Sequence, residues 1–129
     1  MNQYVNTNSN VTHHDLYLTG ALKRDLITVA NSGGGVFDVN PSDGDAFLIN
    51  AVNGTQIQMN SIVSANIGQS GTIVIINGIG SSFFELPANM KTPSGARVEF
   101  ALNDGAVSII SYFILSTESV LVNYIGDFV

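Results

Sequence analysis

The chain has 129 residues, enough for one domain around a single core, and it is 45% apolar but only 11% charged, against roughly 25% charged in ordinary soluble domains. Its net charge is −6, with Lys23, Arg24, Lys91 and Arg97 as the only cations; that argues against nucleic-acid and anionic-membrane partners, which need a basic footprint. There is no cysteine, so disulfides and cysteine metal sites are excluded, and no apolar run reaches the ~18 residues of a membrane-spanning helix.

Residues 1–15 are polar, rich in Asn and Thr, and without apolar period. They read as a disordered stretch or an extended arm that orders on a partner. They lack the basic and apolar regions of a signal peptide, which fits an intracellular origin. Asn10-Val11-Thr12 is formally a glycosylation sequon, but without a secretion signal it reads as a polar arm. Leu16–Leu18 and Leu26–Val29 are short strand candidates around a turn at Gly20–Asp25, and Ser32-Gly33-Gly34-Gly35 is a breaker that redirects the chain.

Short strands follow at Val36–Val39 and Phe47–Ile49, with the loop Asn40–Asp45 between them. Asn53-Gly54 carries a type I′ turn signal. Thr55–Ile62 alternates polar and apolar residues with Ile57, Met59 and Ile62 inward, the period of a half-buried strand. Thr72–Ile76 is apolar on both faces, so it is expected to be central or to lie at a subunit contact. Pro87 and Pro93 punctuate the following loops.

The last third, Ala96–Val129, reads as a three-strand meander. Its apolar runs are Val98–Leu102, Val107–Leu115 and Val120–Ile125, separated by Asn103-Asp104-Gly105, a type I′ signal, and by the four-residue link Ser116–Ser119. No window carries helical periodicity, and no solenoid-type repeat is evident. The expected fold is all-β, an antiparallel β-sandwich of jelly-roll type with an extended N-terminal arm. Residues 1–30 would be the arm or attachment segment and 31–129 the sandwich domain.

Few residues point to chemistry. His13-His14-Asp15 is the only histidine cluster, and adjacent histidines point to opposite sides of an extended chain. Asp38–Asp45 superficially resembles a calcium loop, but its spacing fails the EF-hand pattern and places Ile49 where a bidentate Glu belongs. Glu99, Asp104 and Asp127 read as ordinary strand or turn charges, with no paired acid and base. Gly33–Gly35 lacks the Lys and the helix of a phosphate loop. Hence no catalytic, cofactor or metal residue is assigned, and no enzyme is expected. The tyrosines, Tyr4, Tyr17, Tyr112 and Tyr124, are the aromatics considered for sugar binding; Tyr112 and Tyr124 fall inside the meander, where packing is the commoner use.

Three stretches resemble a module of tailed-phage virion proteins, frequent in phages of cyanobacteria and marine bacteria. They are IxxANIGQSGTIVI from Ile62 to Ile75, LPANMKTPSG from Leu86 to Gly95, and NDGAVSIISYFILSTESVLVNYIGDF from Asn103 to Phe128. Within them Gly68-Gln69-Ser70-Gly71-Thr72-Ile73, Leu86-Pro87, Lys91, Pro93, Gly95 and Ala106–Tyr112 stand at the recurring positions. Ser108 replaces the commoner Asp. The resemblance covers about half of the chain.

It implies a β-rich building block of fibres, knobs and decoration proteins, often trimeric. With that resemblance, the architecture read above, a short β domain behind an extended arm, makes the expectation a virion structural protein, a capsid decoration or cement protein assembled in the host cytoplasm. Its partners would be copies of itself in a trimer and the major capsid protein or another virion protein. The alternative is a small head- or tail-fibre or knob protein that contacts the host surface and its glycans through loop-tip residues such as Phe83 or Phe84. A third reading is a carbohydrate-binding or hydrolytic domain.

Overall fold

The computed structural model describes residues 19–20, 24–78, 86–96, 98 and 103–129, apart from the side chain of Asp127. The fold is all-β; its only helical pieces among these residues are single 3-10 turns at Ser64–Asn66 and Pro93–Gly95. Among the described residues eight strands follow in chain order: β1 (Ile27–Thr28), β2 (Val36–Asp38), β3 (Ala46–Asn50), β4 (Gln56–Gln58), β5 (Ser70–Ile76), β6 (Met90–Lys91), β7 (Val107–Ser116) and β8 (Ser119–Phe128). Six form one sheet in the order β1-β3-β5-β7-β8-β6, and β2 pairs with β4 in a second.

The pairing departs from the antiparallel expectation. β1-β3, β3-β5, β2-β4 and β6-β8 are parallel, and only β5-β7 and β7-β8 are antiparallel. For β1-β3, β3-β5 and β2-β4 the reason is the path of the first half of the chain. It steps from the large sheet to the small one and back, so each return to a sheet runs in the same direction as the last. Parallel neighbours need a long crossover, and here a strand of the opposite sheet supplies it.

This path is a short coil with a twenty-residue period. Ile27 lies opposite Phe47 and Val36 opposite Gln56, the same offset in both sheets. At that offset Phe37 matches Ile57 and Val39 matches Met59, all four buried. Gly34 and Gly54 stand at the same place in the two connecting turns, with φ of 63° and 75°. The next step, Phe47 to Ile73, is six residues longer, and the 3-10 turn at Ser64–Asn66 lies in that crossover. A two-copy structural repeat is therefore present, although the sequence shows no solenoid-type repeat. Apart from the glycine shared at Gly34 and Gly54, its core positions keep apolar class and not residue identity.

A single buried cluster draws on both sheets. Phe37, Val39, Ile57 and Met59 from the small-sheet side meet Phe47, Ile49, Ile73, Ile75, Ile110, Tyr112, Ile114, Val120 and Val122 from the large one. Ile57 and Met59 are buried as the alternation predicts, and Ile62 packs partly against the cluster, although pairing in β4 ends at Gln58. Full burial of each such side chain contributes about 1.5–3 kcal/mol.

The final hairpin is tighter than its sequence suggested. β7 and β8 are joined at Thr117-Glu118, with Ser116 paired to Ser119, so the four-residue link shortens to two unpaired residues. The turns at Asn53-Gly54 and Asp104-Gly105 are not type I′, because only the glycine of each has positive φ. They close instead through Thr55 N–H to Val52 O and Ala106 N–H to Asn103 O, a pattern that fits type II geometry. Of the meander's first run, Val98 packs against the core, and residues 99–102 lie outside the described residues.

Candidate functional site

The feature that stands out chemically is the outer face of the large sheet. A strand with one wet face should alternate apolar and polar residues. β5 and β7 do not. Inward, Ile73, Ile75, Ile110 and Ile114 are fully buried. Outward, pairing places Leu48, Val74, Ile109 and Ile125 in one row across β3, β5, β7 and β8. Ile76 and Val107 continue the next row. Leu48, Val74 and Ile109 are half-buried by their neighbours, and Ile125 is 59% exposed. Among the described side chains, the two rows hold no charge. Thr72–Ile76, expected to be central or at a contact, is indeed the middle of the sheet, and its outward residues lie on this apolar patch.

The character of the face changes along the strands. Beyond the apolar rows, Thr72, Ser111 and Asn123 align across β5, β7 and β8, followed by Ser70, Phe113 and Leu121. A shallow depression of about 480 Å³ lies over these residues, with Arg24 at its rim. Arg24 Nε is 3.3 Å from Asp45 Oδ2, so its charge is balanced there. The depression thus offers hydroxyl and amide groups, one exposed aromatic ring and little net charge.

The stretch from Asn66 to Gly71, at the entry to β5, works as scaffolding. Gln69 Nε2 donates to the carbonyl oxygens of Pro41 (3.0 Å) and Gly44 (2.8 Å). Asn66 Oδ1 accepts from Val63 N–H (2.9 Å) and from the Ser42 hydroxyl (3.4 Å), and Asn66 Nδ2 donates to Gln69 Oε1 (3.3 Å). Together they pin the Asn40–Asp45 loop to the start of β5. Gly71 has no room for a Cβ, which would overlap the Tyr112 ring and hydroxyl and the Asp45 carbonyl. Tyr112 is itself buried, and burial, opposed by the Gln69 side chain beside it, pushes its hydroxyl up to about 12.

The residues considered for chemistry do not converge. Asp38 accepts from Asn60 N–H at 3.1 Å, Asp43 is exposed beside Asn40, and Asp45 faces Arg24. The calcium-like spacing is therefore a surface loop whose carboxylates serve different partners. Among the described residues, no three His, Cys, Asp or Glu side chains gather as metal ligands. Asp104 is an exposed turn residue, and Tyr124 shares a 3.1 Å hydrogen bond with Ser108. His13, His14, Asp15, Tyr4, Tyr17, Phe83, Phe84 and Glu99 lie outside the described residues, as does the side chain of Asp127.

Sequence reasoning passed over Gln69, Asn66 and the second apolar face of β7. The signal for β7 was present: Val107–Leu115 is as apolar on both sides as Thr72–Ile76. Nothing in the sequence marks Gln69 as a loop anchor, because its acceptors lie more than twenty residues away. No family model, curated protein or solved structure matches the chain.

Proposed function

We propose that this protein is a structural component of a phage virion, a capsid decoration or cement protein that binds the head surface and stabilises it without catalysis. In this reading the two sheets form a jelly-roll-like sandwich. The chain ahead of β1, within residues 1–30, is the arm that lies across the major capsid protein. Copies associate as a trimer. The observation that carries the reading is the outer face of the large sheet, where the Leu48–Val74–Ile109–Ile125 row is apolar and uncharged. Interface cores are depleted in charge in this way. The phage-module resemblance supplies the setting.

Two changes separate the contacts. Ile125→Lys places an ammonium in the outer row and is expected to convert the oligomer to monomer in sedimentation velocity with an unchanged far-UV spectrum. Deleting residues 1–15 is expected to abolish binding to undecorated capsids while the oligomer survives. Full decoration by the truncated protein would remove the arm from the proposal, and a monomeric wild type would remove the interface.

A second reading has its own support. Thr72, Ser111 and Asn123 beside Phe113 suit a neutral saccharide of the host surface, with hydroxyls facing the polar row and a ring face on the aromatic. This is the fibre or knob alternative. Saccharide binding lost in Phe113→Ala, with capsid binding absent, would favour it over the cement reading.

A further inference from the structure

We propose that Asn53 is a site of spontaneous deamidation, and that the fold protects Asn77. These are the two asparagines of the chain that precede glycine. The inference does not depend on the virion reading. In an Asn-Gly pair the glycine backbone nitrogen meets no Cβ obstruction of its own when it approaches the asparagine side chain. It attacks Cγ, forms a C–N bond and loses its proton, and the side-chain nitrogen departs as ammonia. Water then opens the resulting succinimide at one carbonyl or the other. The products are aspartate, or isoaspartate, in which the backbone runs through the former side-chain carbon.

The two sites differ in every feature that governs this step. Asn53 and Gly54 are both exposed at the tip of their turn. The turn is held only from its ends. Thr55 Oγ1 accepts from Val52 N–H at 2.8 Å and donates to Val52 O at 2.6 Å, and Thr55 N–H reaches Val52 O at 3.2 Å. None of these bonds restrains the Asn53-Gly54 peptide. Asn77 is 3% exposed. Its N–H donates to Ala106 O and its carbonyl accepts from Gly105 N–H, both at 3.0 Å. The Ala51 carbonyl fills the space where a Cβ on Gly78 would stand. The peptide at Asn77 therefore cannot swing toward its own side chain without breaking the junction between β5 and the turn before β7.

Reaction at Asn53 has a structural consequence. The successive turns of the coil touch here: a Cβ placed on Gly35 would lie 2.8 Å from Gly54 O, and Gln56 N–H donates to Gly35 O at 2.8 Å. An isoaspartyl linkage adds a backbone carbon beside this contact, and it also adds a negative charge.

The test is peptide mass mapping of the folded protein after incubation in mildly alkaline buffer. The amide-to-acid mass change is expected at Asn53 at least about tenfold faster than at Asn77, since reaction at a protected site must await local opening. In concentrated urea both sites should react at similar rates. The variant Asn53→Gln should remove the Asn53 signal, and the aged wild type should melt below this variant aged in parallel. A folded protein that keeps its Asn53 amide while the urea-treated chain loses it would overturn the proposal. So would Asn77 converting as fast as Asn53 in the folded state.

Discussion

At Gly71 the motif Gly68–Ile73 becomes a packing requirement. The Tyr112 ring and the Asp45 carbonyl occupy the space that a side chain would need. Gly71→Ala should therefore cost about 1–3 kcal/mol in denaturant unfolding, the range of an overpacked core site. Tyr112 makes a second prediction. Its hydroxyl is buried beside the Gln69 side chain, and burial raises its pKa from 10.0 to about 12. Between those values the unfolded chain releases the proton and the folded chain keeps it. Stability linked to this group is thus fully present below pH 10 and is lost as pH rises toward about 12. Denaturation midpoints measured across this interval should fall more steeply for wild type than for Tyr112→Phe. Parallel decline in the two proteins would show that the hydroxyl is not the titrating group. None of this was legible beforehand, since the sequence places Tyr112 in the core but does not say what it presses against.

Among the elements, those governed by local pattern were readable. β2, β3, β5, β7 and β8 fall where alternation or β-branched runs put them, because strand character depends on neighbours two residues apart. Their direction was not readable. Whether β3 and β5 run parallel depends on where residues 51–69 travel between them, and only tertiary packing fixes that. The loop Asn40–Asp45 shows the same limit, since its anchor comes from Gln69. Substitution there separates anchoring from bulk. Gln69→Ala should destabilise by about 1–2 kcal/mol, for two lost hydrogen bonds. It should also speed amide exchange at Ser42–Asp45. Gln69→Glu should be worse than Ala above the carboxyl's pKa, because an ionised carboxylate brings only acceptors to two carbonyl oxygens. If Glu proves as stable as Gln at neutral pH, the two contacts do not hold the loop.

The charge of the whole molecule sets how copies meet. Each chain carries −6, while the Leu48–Val74–Ile109–Ile125 row and its neighbours Ile76 and Val107 are uncharged. Two energies then compete when copies approach. Apolar burial favours contact and varies little at moderate salt. Repulsion between like-charged molecules opposes contact and is screened once their separation exceeds the Debye length, about 10 Å at 0.1 M. If the outer face is the contact, raising the salt removes the opposing term and leaves the favourable one. Association should therefore strengthen from low to moderate ionic strength, read as a falling dissociation constant in sedimentation equilibrium. An interface built on ion pairs would respond in the opposite sense, since screening weakens attraction as well as repulsion. A dissociation constant that rises with salt would place the contact elsewhere on the molecule, on surfaces such as the Arg24–Asp45 rim where charge is present.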